Sequence, residues 1–70
     1  MNRLNEVISE KGITQTWLAN QMNKSYNTIN EYVRNKRQPS LKDLYKLATI
    51  LNIEAKDLIL DMKQYNAING

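Results

Sequence analysis

The sequence predicts an all-α domain of five short helices. Apolar residues recur at i, i+3 and i+4 through four successive segments, the spacing of one helix face. Most of these segments open at an Asn, Thr or Ser that can cap a helix and close at a Gly or Asn that can leave one. Seventy residues leave no room for a second core, and neither repeats nor low-complexity stretches interrupt the pattern.

The elements follow in chain order. Leu4, Val7 and Ile8 mark a first helix over about Arg3–Lys11, with Asn2 to cap it, Gly12 as its left-handed stop and Ile13 folding back on it. Thr14 caps a second helix, Gln15–Met22, with Leu18, Ala19 and Met22 inward. Asn23 and Lys24 form a turn, Asn being one of the few non-glycine residues that tolerates positive φ. Ser25 caps a third helix with Ile29, Tyr32 and Val33 inward, ending near Arg34, where Asn35 suits a left-handed exit. Two short helices joined by such a turn make a helix-turn-helix. Residues 35–39 form a basic loop, because Pro39 denies Gln38 the helical conformation. Ser40 and Asp43 form a capping box for a fourth helix with the stripe Leu41, Leu44, Leu47, Ala48 and Leu51, closed by Asn52. A fifth helix is expected from Ala55 to Met62, with Leu58 and Met62 inward. The domain then spans residues 1–62, and 63–70 is a tail without caps or periodicity.

Composition excludes several classes of function. Without cysteine there is neither a disulfide framework nor a thiolate metal site, and without histidine the commonest metal ligand and general base are missing. No cofactor or metal is expected. The carboxylate pairs Glu6/Glu10 and Asp57/Asp61 lie at i, i+4 on surface-like faces, and no glycine-rich phosphate loop exists, so an enzyme is not expected. No apolar run approaches the roughly 18–20 residues of a membrane span. The amphipathic start lacks the apolar core of a signal peptide, which places the protein, as an expectation, in the cytoplasm.

The net charge of +3 is unevenly spread. Between Lys24 and Lys46 six cations face two anions, a balance of +4, while the remainder sums to −1. One face is therefore expected to be basic, as a phosphate-binding surface would be. At its centre lies Ser25–Arg37, SYNTINEYVRNKR, a capped helix that carries amides and hydroxyls on its first turn and ends in cations.

Several signatures in the run from Ile13 to Ile59 occur together: Thr14-Gln15 opening helix 2, Leu18-Ala19 within it, Ser25 before helix 3, Thr28-Ile29 within that, Lys36 to Pro39-Ser40, and Leu51-Asn52-Ile53 with Leu58. With them the chain resembles, over about Leu4–Leu60, the Cro/cI-type (lambda-repressor-like) helix-turn-helix domain of bacterial and phage repressors. The family usually has Gly where Asn23 and Asn35 stand, and an apolar residue where Lys24 stands. Many members bury an Arg–Glu pair at the positions of Ile8 and Val33. Exchanging both partners of a buried pair for apolar groups is often neutral or stabilising.

The resemblance implies duplex DNA as partner, with helix 3 in the major groove. Matched by position, Tyr26, Asn27 and Glu31 face base edges, with Gln15 at the start of helix 2 and Thr28 and Asn30 as secondary candidates. Asn27 can both donate and accept against adenine, or act as a first-turn capping amide. Tyr26 can pack on a thymine methyl, donate to a phosphate, or cover the turn. Glu31 can accept from cytosine N4, or hold Arg34 by an i, i+3 pair, and the pair is the preferred expectation. Phosphate contacts are expected from Arg34, Lys36, Arg37 and Gln38, from Lys24, and from Gln15 and Ser25 at helix starts. Trp17 can pack over Tyr32 and Val33 or lie exposed near the DNA backbone, and packing is the preferred expectation.

One helix-turn-helix reads few base pairs, so a homodimer is expected, with helix 5 and its flanks (Ile53, Ile59, Leu60, Tyr65, Ile68) as the candidate interface, unless these residues simply roof helices 1 and 4. The rival reading is a protein–protein interaction module, antitoxin-like or an adaptor, which needs an exposed apolar patch and no cationic loop.

Overall fold

The computed structural model describes residues 1–59, and within them the fold is four α-helices and one 3₁₀ turn: α1 Leu4–Lys11, α2 Gln15–Met22, α3 Tyr26–Val33, α4 Leu41–Leu51, and the turn Ala55–Leu58. The all-α class stands, and the fifth element is shorter than expected. Its opening is a capping box in which Asp57 accepts from the Glu54 N–H. After Leu58, however, Ile59 is extended and pairs with Asn2 in an isolated antiparallel bridge, while the Arg3 N–H donates to the Leu58 carbonyl at 2.8 Å. That tertiary pairing takes the backbone out of helical conformation where the sequence continues to read as helix. Leu60, Met62, Tyr65, Ile68 and the 63–70 tail lie outside the described residues.

The helices surround one core. Leu4, Leu18, Met22, Ile29, Leu47, Leu51 and Leu58 are almost wholly buried, and Ile8 and Val33 join them as apolar neighbours. Ile13, Ile50, Ile53 and Ala55 pack partly buried against this set. Two expected core members differ. Leu41 is 68% exposed, because it lies in the first turn of α4 at the edge of the buried stripe. Trp17 is 42% exposed. At about 100° per residue it points away from the direction shared by Leu18, Ala19 and Met22, which leaves it at the surface rather than in the core.

Each α-helix leaves by the same device. Gly12, Asn23, Asn35 and Asn52 take φ of 67°, 55°, 58° and 57°. The following residue's N–H then donates back five residues: Ile13 to Ile8, Lys24 to Ala19, Lys36 to Glu31 and Ile53 to Ala48, at 2.9–3.0 Å. These bonds satisfy carbonyls that a helix end otherwise leaves without a partner. Asparagine reaches this conformation because its short amide is tolerated there, whereas most L-residues pay about 1–2 kcal/mol. The starts are equally local: Thr14 accepts from the Trp17 N–H and Ser40 from the Asp43 N–H, each at 3.1 Å. The Ser40–Asp43 box is only half formed, since the Asp43 carboxylate turns to Lys24 and Tyr32. Asn2 caps α1 from one position earlier than expected, its Oδ1 accepting from the Leu4 N–H at 3.0 Å while Arg3 holds the formal cap position.

Asn52 tests the exit device away from the candidate interface. Asn52→Ala should lose about 1 kcal/mol in urea unfolding, and Asn52→Gly should match or slightly exceed the parent. An alanine variant as stable as the parent would show that the left-handed exit carries no strain.

Candidate nucleic-acid interface

The start of α3 is built by Ser25. Its Oγ accepts from the Thr28 N–H at 3.1 Å and lies 3.0 Å from the Thr28 hydroxyl, so Thr28 is turned back onto the cap. With capping done by Ser25, the neighbouring Tyr26 and Asn27 side chains are free to stand in solvent; Tyr26 is 52% exposed. The helical repeat places Asn27, Glu31 and Arg34 opposite the buried Ile29, Tyr32 and Val33. Tyr26 and Asn30 occupy one flank of that outer face.

Two secondary candidates engage one another. Asn30 Nδ2 donates to Gln15 Oε1 at 2.9 Å, a partly buried bond between the first turn of α2 and the middle of α3. It fixes the two helices in relation to each other at their outer edge. The predicted Glu31–Arg34 pair does not form: among the described residues no ion pair involves Glu31. What Glu31 supplies instead is its backbone carbonyl, which accepts from the Lys36 and Arg37 N–H groups at 2.9 and 3.3 Å and folds the loop under the helix.

The cations divide into two groups. Lys24 forms an ion pair with Asp43 at 3.1 Å, and Lys46 Nζ donates to the Met22 carbonyl at 3.4 Å. Both fasten the α2–α3 turn to α4. Tyr32 Oη donates to the same Asp43 oxygen at 3.3 Å. Burial first, and then the Asp43 charge, raise the Tyr32 pKa above its ordinary value, so the phenol remains a donor across the neutral range. Arg34, Lys36, Arg37 and Lys42 are exposed and take no part in ion pairs among the described residues. Arg37 lies over the Tyr32 ring, 6.0 Å from its centre, at the outer limit of a cation–π contact. Gln38 is committed at both ends of its amide: Oε1 accepts from Asn2 Nδ2 at 3.0 Å and Nε2 donates to Asn35 Oδ1 at 3.1 Å.

Sequence reasoning missed Asn2 in this role. It is the buried polar residue of the described chain, 6% exposed, and apart from Leu4 its side-chain partners lie 30 to 36 residues away. No local spacing signals such a contact. A shallow open groove of about 260 Å³ elsewhere is lined by Arg3, Glu6, Glu10 and Asp57 among others. Two of its carboxylates have structural partners, Glu6 on Arg3 at 2.9 Å and Asp57 on the Glu54 N–H.

The helix-turn-helix family profile matches residues 5–58, which takes in the 3₁₀ turn and all four helices but for the first residue of α1. This chain belongs to the Cro/cI-type helix-turn-helix family. Among solved structures, a candidate DNA-binding protein from Bacteroides fragilis is similar at 48% identity and a TM-score of 0.81, covering 83% of this chain and 94% of that one. No curated protein matches. Family membership explains why α2 and α3 meet through so compact a turn. The Gln15–Asn30 bond braces the two helices beside that turn.

The brace can be measured. In a double-mutant cycle on stability, Gln15→Ala and Asn30→Ala should couple by about 0.5–1.5 kcal/mol. Strict additivity would mean the two amides do not support one another.

Proposed function

We propose that this helix-turn-helix protein is a small transcriptional regulator that binds duplex DNA in a sequence-specific manner, with α3 in the major groove. The observation that carries the reading is the separation of roles along α3 and its exit. Ile29, Tyr32 and Val33 are buried, Tyr26 and Asn27 are exposed at the N-terminal turn, and Arg34, Lys36 and Arg37 follow without ion-pair partners among the described residues. An N-terminal turn bearing an amide and an aromatic suits base edges, and a cluster of exposed cations just beyond suits phosphates. DNA binding accords with the family and with the Bacteroides fragilis neighbour. Such a regulator acts without catalysis, in the cytoplasm.

In this reading Asn27 contacts a base, Tyr26 and Glu31 flank it, and Gln15 and Asn30 line the same edge while bracing each other. Ser25 with the free N–H groups of its turn, and Arg34, Lys36 and Arg37, hold phosphates. Thr28, Lys24 and Gln38 contribute chiefly by shaping these elements, since each has a partner within the protein. The exposed Leu41 and Tyr45, one turn apart on α4, favour the second reading of a protein-binding module. That reading leaves the cationic loop without a task.

Affinity for duplex DNA should fall steeply between low and physiological salt. Asn27→Ala should cost about 1–3 kcal/mol on the preferred site and little on random DNA, relaxing the preference at one base pair. Arg37→Ala should weaken all sequences alike and lower the salt slope by about one unit. Titrations of both variants over several salt concentrations, with melting curves near the parent's, decide the matter. Unchanged sequence preference in folded Asn27→Ala would remove α3 from base reading.

The protein is also proposed to act as a homodimer. Ile53 is partly buried by its own core, which leaves the exposed Ile59, among the described residues, for a partner copy. Sedimentation should show two copies on a two-fold site, and a monomer both free and on the preferred DNA would end this part of the proposal.

A further inference from the structure

We infer that Asn2 is a positioning residue for phosphate binding, holding the loop that presents Lys36 and Arg37; the inference rests on the DNA-binding reading above. Lys36 and Arg37 are exposed, and they stand between two residues that are tied down. Asn35, on the near side, is held by both ends of its amide: Oδ1 accepts from the Asn2 N–H at 2.9 Å, and Nδ2 donates to the Asn2 carbonyl at 3.2 Å. Gln38, on the far side, accepts from Asn2 Nδ2 at 3.0 Å and donates to Asn35 Oδ1 at 3.1 Å. The same Asn2 amide nitrogen donates to the Tyr32 carbonyl in the last turn of α3 at 3.0 Å, and Asn2 Oδ1 caps Leu4.

One buried residue thus joins four points: its side-chain amide ties the start of α1, the last turn of α3 and the far end of the loop at Gln38, and its backbone N–H and carbonyl hold Asn35 at the near end. The Lys36 and Arg37 N–H groups donate to the Glu31 carbonyl, which ties the loop to α3 alone, and Asn2 adds the tie to α1. Lys36 and Arg37 repel each other, and a long cationic side chain loses conformational freedom when it settles on a phosphate. A backbone fixed in advance reduces what must be ordered at the moment of binding. The extended pairing of Asn2 with Ile59, and the Arg3–Leu58 bond beside it, keep Asn2 itself from moving.

The test uses the full chain and a labelled duplex of random sequence, on which phosphate contacts dominate. Asn2→Ser keeps an oxygen that can cap Leu4 but is too short to reach Gln38. It should weaken binding roughly three- to tenfold at low salt and lower the salt slope by about one unit. In a Lys36→Ala/Arg37→Ala background the same exchange should change affinity less than about twofold, since the residues it positions are gone. Asn2→Ser combined with Asn27→Ala should give the product of the single effects on the preferred site. Trypsin should also cut after Lys36 or Arg37 faster in Asn2→Ser than in the parent, at a temperature where far-UV circular dichroism shows both folded. Should Asn2→Ser not fold, Gln38→Ala severs the far side of the clamp, leaves the α1 cap intact, and must give the same pattern.

Parent-like binding by a folded Asn2→Ser, an equal loss in the loop-neutralised background, or unchanged tryptic cutting would each overturn the assignment while leaving DNA binding in place. A parent protein that fails to bind any duplex would overturn both.

Discussion

Three of the four helices are eight residues long, shorter than the roughly 12–15 residues at which an isolated helix becomes even marginal in water. None can exist before the others. What makes them helices is a shared core, to which each contributes three or four buried side chains, together with caps and left-handed exits that satisfy part of the backbone groups a helix end leaves without a partner. The left-handed exits therefore do more than stop helices. They turn the chain within one or two residues, so that successive short helices meet at the same core. The position of α3 is a product of this closure, fixed by α2 on one side and by the Lys24–Asp43 and Tyr32–Asp43 contacts to α4 on another.

Local chemistry was legible in the sequence and distant chemistry was not. Thr14, Ser25, Ser40, Gly12, Asn23, Asn35 and Asn52 act over three to five residues, and each does what its type and position imply. The periodicity also gave most of the core. It failed for Leu41 and Trp17, where apolar character suggested burial but the angular position places the side chain at the rim of the buried face or beyond it. It failed again at Ile59, whose backbone is set by the pairing with Asn2 rather than by its neighbours. At the candidate interface the exposed residues of α3 followed from periodicity. The roles of Gln15 with Asn30, of Lys24 with Asp43, and of Asn2 depend on contacts between remote segments, which spacing does not encode.

The buried positions of Ile8 and Val33 bear on how α1 is held to α3. Related domains commonly place an ion pair at these positions, which gives direction as well as cohesion; two apolar side chains give cohesion but little register. Here the directional part is supplied by neutral amides at the end of α1 where the chain enters. Asn2 reaches the last turn of α3, and Asn35 reaches back. Every partner in this arrangement is uncharged, so it is insensitive to salt, unlike the surface it supports.

The two faces of α3 share no residue, and this has an evolutionary consequence. Ile29, Tyr32 and Val33 are buried in the core, while Tyr26 and Asn27 are exposed. Substitutions at 26 and 27 can alter which ligand is preferred without passing through an unstable intermediate, so new preferences are reachable by single steps. Position 30 is constrained differently. Its amide is paired with Gln15, and a change there must either preserve the pair or be matched at position 15. Among diverging descendants of this chain, 26 and 27 would drift independently, and 15 and 30 would change together.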